Sequence, residues 1–256
     1  MRIIAVIPAR MASSRFPGKP MAQIHGMPMI GHCYHRVSMC KTLSETYVAT
    51  CDQEIFDYIQ SIGGNAVMTA TTHERASDRA AEAMLKIEET SNQRTDILVM
   101  VQGDEPMDRP EMIDESLAPM LKDPKINIVN LMGDIDNADD FEDPNTVKVV
   151  TDENSDAIYF SREPIPSRKK GVENVPKRKQ ICVIPFLRDF LIQFNGTPEM
   201  PLERIESVDM LRIIESGGKI RMAVTKYPTI GVDTPELLTR VEGLMENDEL
   251  MKEYLS

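Results

Sequence analysis

Apolar and polar positions alternate in two rhythms along the first hundred residues. Residues 3–7, Ile-Ile-Ala-Val-Ile, form a short continuous apolar run, the pattern of a central parallel strand buried on both faces. A loop punctuated by Pro8, Pro17, Gly18 and Pro20 follows it. Spacing near 3.6 then predicts helices over 29–41, 53–62 and 77–90, with strands at 46–50, 66–69 and 96–101 between them. Gly63-Gly64 stops the second helix, and Ala80, Met84 and Ile87 share one face of the third. Strand–helix alternation at this spacing predicts an α/β fold with a mainly parallel sheet.

The second half is less regular. The stretch 134–143 holds six acids and reads as a solvated surface segment. Strands are expected at 147–150, 158–161 and 220–224, and one helix over 201–215 with Leu202, Ile205, Val208 and Leu211 on its buried face. Thr234-Pro235-Glu236 opens the last helix, Thr as N-cap and Pro in the first turn.

At 256 residues with 41% hydrophobic and 27% charged, the chain is long enough for one large domain, 1–256, with a smaller lobe inserted at about 155–200. A formal charge of −12 argues against nucleic acid and anionic membranes as partners. No apolar run approaches the ~18 residues of a membrane span, and Met1 to Arg10 is too short and too soon polar for a signal peptide. Four cysteines without C-x-x-C pairing read as reduced thiols, hence a cytoplasmic setting, and the 18 methionines as core filler.

The charge is unevenly spread. Residues 1–44 contain no Asp or Glu, yet carry Arg2, Arg10, Arg15, Lys19, Arg36 and Lys41. Arg36 and Lys41 read as ordinary exposed helix residues. Arg10, Arg15 and Lys19 fall in one loop that leaves the carboxyl end of a buried strand, which is where open parallel sheets bind ligands. Small residues there, Ala12, Ser13 and Ser14, let backbone N–H groups approach an anion, and the three cations suit a triphosphate. The loop matches neither the Walker A pattern nor G-x-G-x-x-G. A second basic patch, 162–179, reads as a solvated loop apart from Arg162.

Two further loops carry carboxylates. Gln102-Gly103-Asp104-Glu105-Pro106 follows a strand, with Gly103 allowing a sharp turn, and Gly231-Val232-Asp233-Thr234-Pro235 precedes the last helix. Each aspartate alone reads equally as a turn or cap residue. Mg²⁺ takes one or two carboxylates plus phosphate oxygens, so two loop aspartates would suit it, but spacing does not pair Asp104 with Asp233. His32 and His35 have no acid at metal-binding spacing and read as structural. His25 lies in an exposed turn beside Gly26.

Taken in order, the 8–20 loop, Gln102-Gly103-Asp104-Glu105-Pro106, Asp143-Pro144-Asn145-Thr146-Val147-Lys148-Val149-Val150, Tyr159-Phe160-Ser161-Arg162, Pro201-Leu202-Glu203 and Gly231-Val232-Asp233-Thr234-Pro235 span nearly the whole chain. Together they resemble the 3-deoxy-manno-octulosonate (Kdo) cytidylyltransferases, the CMP-Kdo synthetases. The resemblance implies a nucleotidyltransferase fold of the glycosyltransferase-A type whose smaller lobe forms a homodimer. It implies CTP and Mg²⁺, with the anomeric hydroxyl of a 2-keto sugar acid attacking the α-phosphorus and pyrophosphate leaving. By position it assigns Ala9, Arg10, Ser13, Arg15, Lys19, Arg79 and Gln102 to the nucleotide, with Arg10, Lys19 and Asp104 nearest the reaction, and Asp104 and Asp233 to the metal. Ser77-Asp78-Arg79 stands where the family has its cytidine-side segment. Arg162, Gln180, Ile184, Glu203, Glu206 and Met210 fall to the acceptor.

The acceptor half departs from the family pattern. His-x-Gly-x-Tyr is replaced by Gln180, Cys182 and Ile184, and Glu-Gln-Leu-Arg by Asp209-Met210-Leu211-Arg212. At ~0.5–1.5 kcal/mol for each lost hydrogen bond, three losses would weaken Kdo recognition about 10- to 1,000-fold. That leaves three readings. The chain acts on Kdo or a near relative; it runs the same CTP chemistry on another small anion, such as a different keto acid or a phosphonate; or it is a non-catalytic nucleotide-binding protein, against which the retained aspartates and basic loop weigh.

Overall fold

The computed structural model describes residues 1–13, 15–170 and 175–255. Ser14 and the 171–174 part of the second basic patch lie outside the described residues. The chain divides into two compact units, Met1–Asp114 with Thr229–Ser256, and Glu115–Pro228.

In the first unit, β1 (Ile3–Ala9) is followed by a small hairpin, β2 (Gln23–Ile24) and β3 (Met27–Pro28), then α1 (Met29–Ser38). Strands β4 (Glu45–Thr50), β5 (Asn65–Met68) and β6 (Ile97–Val101) alternate with α2 (Gln53–Ser61) and α3 (Ala76–Ser91). The helix α4 (Pro110–Lys122) carries the chain across the boundary between units. The strands lie in the order β6-β1-β4-β5, every pair parallel, with Val6 opposite Met100 and Ala9 opposite Thr50. The apolar run of β1 and all of β6 are buried, as central strands covered on both faces must be. The mainly parallel α/β class expected from the sequence is present, with element ends shifted by one to three residues.

That strand order has a functional consequence. From β1 the chain proceeds outward through β4 and β5, then returns to place β6 on the other side of β1. The order therefore reverses between β1 and β6, and ligands of open α/β sheets bind outside the carboxyl ends at such a point. The 8–20 loop and the Gln102-Gly103-Asp104 turn leave from there.

The second unit holds β7 (Val129–Asp134), α5 (Ala138–Glu142), β8 (Lys148–Thr151), β9 (Ala157–Ser161), β10 (Arg178–Ile181), β11 (Val183–Leu187), α6 (Arg188–Gly196), α7 (Pro201–Glu206), α8 (Leu211–Glu215) and β12 (Arg221–Val224). Its strands order β12-β7-β10-β8-β9, parallel between β12 and β7 and antiparallel elsewhere. The acidic stretch keeps its carboxylates at the surface as expected, and within it α5, capped by Asn137, buries Phe141 under Arg168 and Lys177, whose cations lie 4.8 and 5.4 Å from its ring centroid. One expectation is corrected here. The expected helix over 201–215 is two, α7 and α8, broken at Ser207, which takes a left-handed φ of 51°. The break leaves Ile205 74% exposed and buries Val208 and Leu211. It also lets the Arg212 guanidinium fold back onto the fully buried Glu203 carboxylate at 2.6 and 2.7 Å.

The chain returns to the first unit for α9 (Pro235–Met245) and α10 (Glu249–Leu255). Thr234 Oγ1 accepts from Leu237 N, the cap that its sequence signals. Arg36, expected to be exposed, is 1% exposed: Asp248 pairs with it at 2.8 Å and the Tyr254 hydroxyl accepts from its Nε. His32 is buried, its ring nitrogens on Tyr254 Oη and Ile24 O, and burial lowers its pKa to about 4. His35 stacks on the Tyr254 ring. Both histidines thus fasten the carboxyl-terminal helix. No helix among the described residues is long and apolar enough to cross a membrane.

Candidate active site

Three segments of the first unit converge at the β1–β6 switch point. The 10–18 loop is closed by the Met11 carbonyl, which accepts from both Ser13 N and Gly18 N at 3.0 Å. Gly18 has φ 74°, a left-handed turn that favours glycine, and it starts the 3₁₀ turn Lys19–Met21. The Lys19 side chain emerges from that turn. From the end of β6 comes Asp104. The third segment, 231–234, is tied to the second by a 2.8 Å bond from Val232 N to the Asp104 carbonyl.

The pairing that spacing left open is therefore made by the fold. Lys19 Nζ donates to Asp104 Oδ2 at 2.5 Å, to Asp233 Oδ1 at 3.1 Å and to the Val232 carbonyl at 3.2 Å. Arg15 reaches Asp233 Oδ2 at 3.0 Å, and Gln102 Nε2 reaches Asp104 Oδ2 at 3.3 Å. Burial opposes the charge on Lys19, yet the attraction and hydrogen bonds of the two carboxylates prevail and raise its pKa. Gly103 lies in the expected turn, and it is also closely packed: a Cβ there would sit 3.1 Å from Ile7, Ile30 and the Pro8 carbonyl, so these neighbours would have to give way for a side chain.

The other positions that the sequence resemblance assigns to the nucleotide lie apart from this cluster or beside it. Ala9 is the buried last residue of β1, and Arg10 is exposed just beyond it. Ser13 keeps its backbone N–H on Met11 O. Arg79 is buried near the start of α3, with Nη1 on Thr69 Oγ1 and the Ala70 carbonyl, while its Nη2 is buried without a hydrogen-bond partner among the described residues. His25 is exposed and its ring meets the Glu242 carbonyl at 2.7 Å.

The acceptor-side candidates all lie in the second unit. Arg162 follows β9 and donates from Nε to Glu206 O, from Nη1 to Pro144 O and from Nη2 to Ser207 O. The Glu206 carboxylate accepts from Tyr159 Oη, Ser161 Oγ and Arg162 N. Gln180, on β10, donates to the Asn130 side chain at 2.7 Å. Glu203 is held by Arg212, and Ile184 and Met210 are 1% and 0% exposed. Arg162, Glu206 and Gln180 thus present polar groups near their unit's surface, whereas Glu203, Ile184 and Met210 are core.

Three structured polar residues were assigned no role from the sequence. Lys148 is fully buried, its ammonium on the carbonyls of Asp143, Thr146 and Arg162. Asp108 is buried beside Glu105 and Asp104, and burial with those charges pushes its pKa far up. Asn130 donates to Ile181 O inside the sheet. Among these, only the Lys148 motif carried a sequence signal, a lone cation between apolar strand positions.

Comparison with known proteins gives this arrangement a family. The cytidylyltransferase family model matches residues 4–220. The 3-deoxy-manno-octulosonate cytidylyltransferase of Geobacter metallireducens is 41% identical over 251 residues, covering 94% of this chain and 96% of that one. The enzyme of the same name from Syntrophotalea carbinolica is 43% identical, covering 95% and 98%. This chain belongs to the 3-deoxy-manno-octulosonate cytidylyltransferase family. A solved structure of CMP:2-keto-3-deoxy-manno-octonic acid synthetase complexed with CTP superposes with a TM-score of 0.87 at 39% identity, covering 96% of this chain and 98% of that one. The family's nucleotidyltransferase fold is thus the fold described above.

Proposed function

We propose that this protein transfers CMP from CTP to Kdo and releases pyrophosphate. The observation that carries the reading is the meeting of Lys19, Asp104 and Asp233 at the switch point of a sheet whose family is cytidylyltransferase. The oxygen of the acceptor's anomeric hydroxyl forms a bond to the α-phosphorus as its proton passes to solvent, and the bond from that phosphorus to the β-phosphate bridging oxygen breaks, its electron pair leaving on pyrophosphate. Such a step needs alignment and charge neutralisation more than covalent help from the protein.

One ammonium touches both aspartates, so a single cation is within reach of both carboxylates, and an all-oxygen donor pair suits Mg²⁺. Asp104 and Asp233 would hold that ion, which when bound supplies charge neutralisation to the phosphates. Arg10, Arg15 and Lys19 neutralise and orient the triphosphate, and Arg79 and Gln102 stand on the nucleoside side. In the second unit Arg162 is the cation for the acceptor carboxylate, with Glu206 fixing its backbone. The four free cysteines support a reducing compartment.

A different acceptor gains less from this structure than from the sequence. Of the departures from the family pattern, Ile184 and Met210 are core residues, so their apolar character serves packing. The test is kcat/KM for Kdo against other keto sugar acids and small phosphonates at saturating CTP. Kdo is expected to be the best acceptor; a phosphonate or another keto acid surpassing it would overturn the acceptor assignment while leaving the CTP chemistry in place.

A further inference from the structure

Asp52 stands at the N-cap of α2, with extended φ and ψ of −109° and 121°, where an aspartate ordinarily accepts from the helix's own first N–H groups. Its side chain makes no such bond. Instead Oδ2 accepts from Met11 N at 2.8 Å, across 41 positions of sequence. Strand register explains the reach: Thr50 lies opposite Ala9, so the residues just past β4 stand beside those just past β1. The fully buried Thr50 takes Asp52 N on its hydroxyl at 3.1 Å and so orients the aspartate's backbone.

The residue so held is the one that closes the loop. Met11 O gathers Ser13 N and Gly18 N, and Gly18 starts the turn from which Lys19 reaches Asp104 and Asp233. The loop's exposed cations, Arg10 and Arg15, flank that anchor. We infer that Asp52 is a positioning residue for the phosphate-binding loop, holding Met11 so that the cations around it are arranged before the nucleotide arrives. The inference rests on the reading that this loop takes the phosphates of CTP. Preorganisation of this kind shows in affinity for the charged part of a ligand, because a loose loop must be ordered on binding.

Two variants separate positioning from helix capping and from charge. Asp52→Ser keeps a good N-cap but is too short to reach Met11 N. Asp52→Asn keeps an acceptor oxygen at the same distance without the charge. Affinities for CTP with Mg²⁺ and for cytidine are measured by calorimetry, together with the melting temperature. The Ser variant is expected to bind CTP about tenfold more weakly, the worth of one hydrogen bond at a charged group, with cytidine binding and melting temperature nearly unchanged. The Asn variant is expected to stay within about threefold of wild type for CTP. A Ser variant that binds CTP as wild type does would overturn the inference, and so would an Asn variant as impaired as Ser, because charge rather than the bond would then matter. If the Ser variant melts early, its CTP and cytidine affinities are measured below its melting temperature, where a loss confined to CTP still supports the inference and an equal loss for both ligands overturns it. Wild-type protein that fails to bind CTP would instead overturn the nucleotide reading itself.

Discussion

Lys19 and Asp233, 214 positions apart in the sequence, are joined by a 3.1 Å ion pair, and the same ammonium lies 2.5 Å from Asp104. Two carboxylates this close repel one another unless a cation stands between them. Here Lys19 takes that place, which is why its pKa is raised although burial works against its charge. Asp104→Asn keeps an oxygen for Lys19, so the variant is expected to fold. Losing one carboxylate from the proposed metal pair would remove several kcal/mol of charge stabilisation, and kcat should fall about a hundredfold or more. Undiminished turnover in that variant, or turnover insensitive to a chelator, would contradict the assignment.

Lys19→Ala separates the phosphates from the base. Its ammonium has no apolar role, and its partners are two aspartates and one carbonyl. Affinity for CTP should drop by at least tenfold while affinity for cytidine changes little, as measured by calorimetry. Equal losses for both ligands would make Lys19 a structural residue only.

Arg162, proposed as the cation for the acceptor, calls for a different substitution. The Arg162 guanidinium bridges three carbonyls, from Pro144, Glu206 and Ser207, a fork that a lysine does not reproduce. Arg162→Lys is expected to raise the KM for Kdo while leaving that for CTP near wild type. A shift of both constants together would place Arg162 outside the acceptor site.

Much of the first unit was legible because its signals are local. The apolar run of β1, the Gly63 stop of α2 and the Thr234-Pro235 start of α9 each act within a few residues of themselves. What the sequence left open depends on contacts far apart. Asp104 and Asp233 could not be paired because a backbone bond from Val232 makes the pairing, and nothing in either motif shows it. The helix expected over 201–215 breaks at Ser207, whose left-handed φ of 51° no apolar periodicity signals, and the break brings Arg212 onto Glu203. Arg36 looked like a surface cation because its partner, Asp248, lies more than two hundred residues downstream.

The Glu203–Arg212 pair allows a stability test. Both groups are buried, and Arg212 also serves the carbonyls of Phe194 and Thr197. Removing one partner from a buried ion pair costs about 3–5 kcal/mol, because the other is left uncompensated. Glu203→Gln should therefore lower the urea midpoint strongly, whereas Glu203→Leu combined with Arg212→Met should recover part of the loss. A single variant with an unchanged midpoint would contradict this account of the buried pair.

A pH dependence comes from Glu82. Burial opposes its charge, but the Lys86 ammonium, Ala70 N and His73 lower its pKa to about 2. A carboxylate whose pKa is depressed on folding adds stability above its ordinary value of 4.5, and that contribution is lost as pH falls toward 2. The gap in melting temperature between wild type and Glu82→Gln should be open at pH 6 and close as the acid range is entered. A gap that does not change with pH would contradict it.

The most direct test of the central claim is product identification after incubation with CTP, Mg²⁺ and Kdo. Mass spectrometry should find the CMP ester of Kdo, and pyrophosphate should appear with it in equal amount. The Asp104→Asn protein should form neither at a comparable rate. Release of orthophosphate in place of pyrophosphate, or pyrophosphate without the ester, would contradict the account.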